Sequence, residues 1–248
     1  MKKITCRLNL GIIKTLVVLV SISLFTISCS SDDDGFIDAN GNTKKKYITR
    51  ILDQGNNLTV LNVNYDSEGK VTSAESKNDT KYFSYGDNGD LKRVSGGGDN
   101  IVTSEIINEI HKGYEIGDVL QFDDKGNPTV LELYGEDYYG NREIVTAELK
   151  YDEKPFAFYY TLDAAGIIDV LYDVRLQFYA PQEIVLAKKL LPVNNPVKAT
   201  VKDNNSQEVF TITVDYNYDQ DNYPTSSRVI IIDDEGYADT ENFIYTYK

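Results

Sequence analysis

Thiols are almost missing from this 248-residue chain, whose two cysteines, Cys6 and Cys29, both lie within the first 29 residues. Past position 29 the sequence offers no disulfide, no cysteine-based metal site and no nucleophilic thiol. About 200 residues follow the N-terminal region, enough to bury a core without covalent staples, so stability must come from packing and backbone pairing. Tryptophan is absent and histidine occurs once, at His111. A triad or zinc site built on His111 would have to draw its other members from carboxylates, and no His-containing metal spacing exists. Positive charge is also short, with 25 Lys and Arg against 39 Asp and Glu and a net charge of −14. A chain this acidic repels phosphate backbones, so nucleic acid is not an expected partner. Finally, no apolar run is long enough to cross a bilayer. The best candidate, residues 15–28, has 14 residues, against the roughly 20 that a spanning helix needs.

What stands at the N-terminus instead is a basic flank (Lys2, Lys3, Arg7, Lys14), an apolar stretch over residues 16–28, and Ser28 directly before Cys29. The length fits a signal-peptide core. The stretch resembles the lipobox of bacterial lipoproteins, with Thr26 where leucine is usual. That resemblance implies removal of residues 1–28, acylation of Cys29 and attachment to a membrane through lipid. Residues 1–28 carry four basic groups and no acidic one, so the mature chain holds 21 basic against 39 acidic residues. Ser31, Asp32, Asp33 and Asp34 resemble the acidic export signal of Bacteroidota lipoproteins, which implies the extracellular face of the outer membrane; a solvated acidic linker is the plain alternative. Residues 29–46 read as the acylated cysteine and a polar tether. As a random coil, the 17 residues of 30–46 would reach about 20–25 Å.

The body, residues 47–248, reads as a single antiparallel β domain built on one recurring phrase. An alternating strand ends in an aromatic, then comes an Asp/Asn/Gly turn, then another strand. Leu61-Asn-Val63-Asn-Tyr65 runs into Asp66-Ser-Glu-Gly69. Lys81-Tyr-Phe83-Ser-Tyr85 runs into Gly86-Asp-Asn-Gly89. Val119-Leu-Gln-Phe122 runs into Asp123-Asp-Lys-Gly126-Asn-Pro128, Tyr160-Thr-Leu162 into Asp163-Ala-Ala-Gly166, and Ile230-Ile-Ile232 into Asp233-Asp-Glu-Gly236. Asp can accept backbone hydrogen bonds in such a turn, and Gly supplies the positive φ. Period-two alternation puts Leu61, Val63 and Tyr65 on one face, and likewise Val145, Ala147, Leu149 and Tyr151, and Phe210, Ile212, Val214 and Tyr216. Phe243, Tyr245 and Tyr247 form a last strand. Residues 181–191, with Ile184, Ala187 and Leu191 at helical spacing after Pro181, predict a short amphipathic helix. A second short helix is an option around residues 167–172.

The order of Tyr151-Asp-Glu-Lys-Pro155-Phe156, Leu190-Leu-Pro-Val-Asn194-Asn195-Pro196 and Tyr216-Asn-Tyr218-Asp-Gln-Asp-Asn-Tyr223-Pro224 resembles a set of flavobacterial lipoproteins with Tyr-Asp-like repeats. These are similar to a Bacteroidota domain of unknown function with a porin-like sheet. The resemblance implies a mainly β fold, a curved antiparallel meander or partial barrel with one or two short helices, and carries no activity. A membrane barrel needs strands of roughly 9–11 residues with a lipid-facing apolar band. The strands here read shorter and polar, which favours a soluble domain on a lipid anchor.

Site candidates are few. Asp123, Asp124, Asp233, Asp234 and Glu235 fall in turns, where solvated Asx residues are the default, and sequence cannot show the carboxylate separation a glycosidase needs. Asp219, Asp221 and Asn222, or Asp87, Asn88 and Asp90, offer oxygen ligands without the full EF-hand spacing. Ser95-Gly-Gly-Gly98-Asp99 lacks the Lys-Ser/Thr of a phosphate loop. No metal, cofactor or catalytic residue is therefore expected. Among 19 tyrosines, Tyr134, Tyr138 and Tyr139 in a Gly-flanked stretch are candidates for stacking on a glycan, although tyrosine is also an ordinary strand residue. The expected role is a binding or interaction module with a glycan or envelope-protein partner. The alternatives are a structural envelope module without a small ligand and, further off, a hydrolase.

Overall fold

The structure, a computed structural model, describes residues 34–55, 60–77, 79–113, 117–136, 142–178 and 184–248. Cys29, Ser31, Asp32, Asp33, Tyr138 and Tyr139 lie outside them. The strands are β1 (Ile48–Asp53), β2 (Val60–Tyr65), β3 (Val71–Ser76), β4 (Asp79–Tyr85), β5 (Leu91–Gly96), β6 (Asp99–Val102), β7 (Ile110–Lys112), β8 (Gly117–Phe122), β9 (Pro128–Glu136), β10 (Arg142–Pro155), β11 (Arg175–Gln177), β12 (Ile184–Leu186), β13 (Asn194–Lys202), β14 (Glu208–Tyr218), β15 (Pro224–Asp233) and β16 (Ala238–Tyr247). The short helices are α1 (Asp34–Asn40), α2 (Thr103–Ile107), α3 (Tyr159–Ala164) and α4 (Ile167–Leu171).

Two antiparallel meanders meet where the first and last strands pair, with Ile51 opposite Tyr245 and Asp53 opposite Phe243. The result is one 13-stranded sheet in the order β6-β5-β4-β3-β2-β1-β16-β15-β14-β13-β10-β9-β8, and β12-β11-β7 make a small second sheet. The large sheet is curved but not closed, with β6 and β8 as its edges. This is the open, mainly β fold that the sequence predicts. Strand length departs from expectation: β10 has 14 residues, β14 has 11, and β15 and β16 have 10 each. Length therefore does not separate this sheet from a membrane barrel; the side-chain distribution does. The outer positions of the long strands mix exposed Glu148, Lys150, Asp215, Asn217, Arg228, Thr240 and Asn242 with Ile230, Ile232 and Ile244, which does not make a continuous lipid-facing apolar band.

The recurring phrase has a definite geometry. At Asp66, Asp123, Asp203, Asp219 and Asp233 the backbone N–H donates to the carbonyl four residues on, closing the hairpin. The same carboxylate accepts two further backbone N–H groups, as Asp66 Oδ1 does from Glu68 and Lys70, both at 2.9 Å. It does so again at Asp123, Asp203, Asp219 and Asp233. The residue three after the aspartate has positive φ: Gly69 at 91°, but Ser206 at 61° and Asn222 at 66°. A β-carbon is disfavoured there, so Gly69→Ala should cost about 1 kcal/mol and Ser206→Gly should stabilise by a few tenths. Urea midpoints of the two variants check both signs.

Tyrosines of β2, β4 and β10 have a second task. Tyr65 Oη donates to Ile48 O at 2.6 Å, Tyr85 to Val71 O at 2.7 Å, and Tyr151 to Pro128 O at 2.7 Å. Each hydroxyl thus serves a carbonyl at the start of the neighbouring strand. Burial pushes Tyr65 up to about 12 and raises Tyr85 and Tyr151 in the same direction, which keeps these groups protonated as donors.

These contacts define a lower end of the sheet, where β1, β3, β5, β9, β13 and β15 begin. There the segment between β10 and β11 turns inward. Tyr160-Thr-Leu162, expected as a strand, is part of α3; the run from Phe156 to Leu171 is mostly apolar without a clean period and suits a buried helix pair as well as a strand. Gly166, at φ 67°, turns α3 into α4. Ile167, Ile168, Val170 and Leu171 of α4 join Val63, Val71, Phe83 and Leu91 of the sheet in the main core. The helix expected over residues 181–191 is not formed in its described part. Ile184–Leu186 instead pairs with β11, and Ala187–Leu190 makes one 3₁₀ turn. Ala187 and Leu191 are buried as expected, but Ile184 is 53% exposed, so its β-branched neighbours pair rather than present a helical stripe.

Residues 34–46, expected as free tether, are bound to the domain. Phe36 in α1 is 2% exposed and stacks on Tyr159 with ring centroids 3.6 Å apart. Asn40 Nδ2 donates to Val193 O at 2.9 Å. Phe36 and Ile37 are too isolated to show periodicity in sequence; the partner is a surface made elsewhere in the chain. Below them sits a fully used asparagine cluster. Asn127 Oδ1 accepts from Val193 N at 2.8 Å and Asn194 N at 3.1 Å, and Asn127 Nδ2 donates to Asn194 Oδ1 at 3.0 Å. Asn194 Nδ2 donates to Lys154 O and Asn40 Oδ1, and Asn195 clasps Pro155 O and Ala157 N. The motif Asn194-Asn195-Pro196 is therefore a buried clamp that holds the β10 exit, α1 and the β8–β9 turn together.

Lys46 completes the attachment. Its Nζ lies 2.6 Å from Asp219 and 2.7 Å from Asp221, so these two candidate calcium ligands hold an ammonium. Partial burial works against the lysine's charge, yet the two carboxylates raise its pKa. Lys46 and then Lys44 hold Asp221 below the usual range. Asp219 is also lowered, the Lys46 contact and backbone N–H groups outweighing its desolvation. A depressed carboxylate stabilises the fold above its unfolded pKa of about 4 and loses that contribution as pH falls through the folded value. The stability difference between wild type and Lys46→Met should therefore shrink between neutral pH and pH 3, read as urea midpoints at each pH.

Candidate functional site

Because the sheet curves without closing, its concave face is a trough. The inward positions along neighbouring strands are Ile51 of β1, Leu61 of β2, Leu149 of β10, Ala199 of β13, Ile212 and Val214 of β14, Val229 of β15 and Phe243 of β16. The lower end is stopped by one face of α3 and its approach, with Phe158, Thr161, Leu162 and Ala165 at helical spacing. The enclosed space is about 380 Å³, within the roughly 300–1,000 Å³ of small-ligand sites. Beyond it Ala147, Val201, Phe210 and Ile231 form a second core cluster, so the trough lies between two packed regions.

The polar groups on the wall are engaged with each other or with backbone. Ser227 Oγ and Tyr245 Oη share a hydrogen bond of 2.8 Å, and Tyr216 Oη donates to Pro196 O at 3.2 Å. Thr161 Oγ1 accepts from Ile48 N at 2.8 Å, and Asn195 is spent in the clamp. Burial raises Tyr216 and Tyr245 above the ordinary phenol value, so both stay neutral. Charge enters the lining through Asp53, Lys198 and Glu241, and Asp53 Oδ1 accepts from Gly55 N at 2.8 Å. The surface offered to a ligand is mostly hydrocarbon.

The residues singled out from sequence lie elsewhere. Tyr134 is half-buried in β9, its hydroxyl 2.9 Å from both Asp118 and Glu132 and sharing its one proton between them; burial, then these carboxylates, raise its pKa. His111 is half-buried in β7 with Nε2 3.0 Å from Ile106 O. Asp123 and Asp233 serve their own turns. The trough residues were visible as alternating apolar positions, but no local signal marks a concave face. Among the described residues no helix is long and apolar enough to cross a membrane.

The fold and site together define an open antiparallel half-barrel with a helical stop and an apolar trough. Solved structures of similar shape are a porin-like protein from Bacteroides vulgatus (12% identity, 82% of this chain and 99% of that one, TM-score 0.42) and one from Bacteroides uniformis (13%, 81% and 74%, 0.28). A domain described as an outer membrane lipoprotein-sorting protein from Vibrio parahaemolyticus is also similar (12%, 86% and 88%, 0.25). No protein-family model and no curated protein matches the chain.

Proposed function

We propose that this chain is an outer-membrane lipoprotein, acylated at Cys29 and sent to the cell surface by Ser31, Asp32, Asp33 and Asp34, whose β domain binds an apolar ligand and performs no catalysis. The observation that carries the binding reading is the 380 Å³ trough, whose neutral polar wall groups are already hydrogen-bonded. Such a site rewards hydrocarbon and leaves a sugar few partners beyond the charged groups Asp53, Lys198 and Glu241. The excess of acid over base in the chain favours an uncharged ligand over an anionic one.

The test is displacement of a neutral environment-sensitive dye from the full chain by dodecanol. Dodecanol should displace it at lower concentration than dodecanoate. Ala199→Trp, which fills the trough, should weaken dye binding at least tenfold while the far-UV spectrum is unchanged. Unaltered binding in that variant would put the ligand elsewhere. A second reading rests on the open sheet edge at β8, where Leu120 and Phe122 are 46% and 42% exposed. An envelope protein could add a strand there, and Leu120→Lys would then abolish its capture without affecting the dye.

A further inference from the structure

The covalent route from the anchor to the domain fixes which end of the trough meets the membrane. Helix α3 has two occupied faces. Phe158, Thr161, Leu162 and Ala165 border the trough, whereas Tyr159 and Tyr160 meet Phe36 of α1, with centroids at 3.6 and 5.5 Å. Thus α1 lies on the far side of the helical stop from the cavity. Asn40 and Lys46 fasten the chain to the same lower end, through Val193 and Asp219. Five peptide steps separate Cys29 from Asp34, so the acylated residue can be at most about 18 Å from the start of α1. The upper turn at Asp233 stands one strand length away, with β15 and β16 of 10 residues each, or about 30 Å.

We infer that the stopped lower end of the half-barrel rests on the lipid surface and that the upper turns, beside the second core cluster, face away from the membrane holding the anchor. This rests on acylation of Cys29, as proposed above. The segment nearest the bilayer exposes Ile37, Lys44 and Lys45. The chain's own acyl groups are therefore kept on the other side of α3 from the trough.

The absence of any thiol beyond the acylated Cys29 makes the test clean. Asp38→Cys in α1 and Asp234→Cys in the upper turn, both exposed positions, are each labelled with a fluorophore in the full acylated chain. The proteins are then placed in phosphatidylcholine vesicles containing a headgroup-nitroxide lipid. Quenching should be several-fold stronger at position 38 than at 234, and a 20-residue Gly-Ser insertion between Asp33 and Asp34 should reduce the contrast. Equal or reversed quenching in protein that floats with the vesicles overturns the orientation and leaves the anchor intact. A contrast that survives the insertion overturns the tether argument. Protein that fails to float, with an unmodified Cys29 sulfur by mass spectrometry, overturns both the orientation and the acylation on which it rests.

Discussion

Phe36→Ala should lower the unfolding free energy by about 3–5 kcal/mol, the usual cost of deleting a buried aromatic. Phe36 is the one large side chain of α1 in the main core, packed against Tyr159 and Tyr160. Removing it leaves a hole between α1 and α3 that neither short helix can collapse to fill. The amide of Gly41, which donates to Ile37 O at 2.6 Å, should then lose hydrogen-exchange protection ahead of the sheet. Ile37→Ala, one residue on and 39% exposed, should change stability by no more than about 0.5 kcal/mol. Denaturant titration of the pair checks both. Equal small effects would show that residues 34–46 are a loose tether after all.

Asn127→Ala carries the second large effect. The side chain is fully buried, and its Oδ1 is the acceptor for the Val193 and Asn194 amides. Its loss orphans two backbone donors and takes one partner from Asn194 Oδ1, which should cost about 3–5 kcal/mol at 1–3 kcal/mol per unmet group. Asn205 occupies the exposed β13–β14 turn, where Nδ2 reaches Asp203 at 3.3 Å. Asn205→Ala should stay within about 0.5 kcal/mol. Comparable losses in the two variants, again by denaturant titration, would deny the clamp its structural role.

That contrast shows where the sequence was legible and where it was not. Both asparagines follow an aspartate in a turn phrase and look alike along the chain; only the arrival of residues 193–195 from far away buries one of them. The Asp turns, the alternation of Val145, Ala147 and Leu149, and the antiparallel class were readable because each depends on residues within one hairpin. The pairing of β1 with β16 spans the whole domain and leaves no local mark. Residues 156–171 are apolar without a clean period, which fits a buried helix pair as well as strands. The tyrosine hydroxyls that serve neighbouring strand carbonyls leave no local mark, because their partners lie on other strands. The trough itself follows from sheet curvature, to which every strand contributes a little and no motif contributes much.

The reading of this domain as a binder of apolar ligands stands on the concave face being accessible. Methyl-resolved NMR of the full chain titrated with dodecanol tests it directly. The account predicts saturable shifts at Ile51, Val214 and Val229, with Ile230 and Ile232 on the outer face of β15 unmoved. Shifts confined to the outer face or to the exposed Leu120 of β8, or none at any lining methyl, would contradict it.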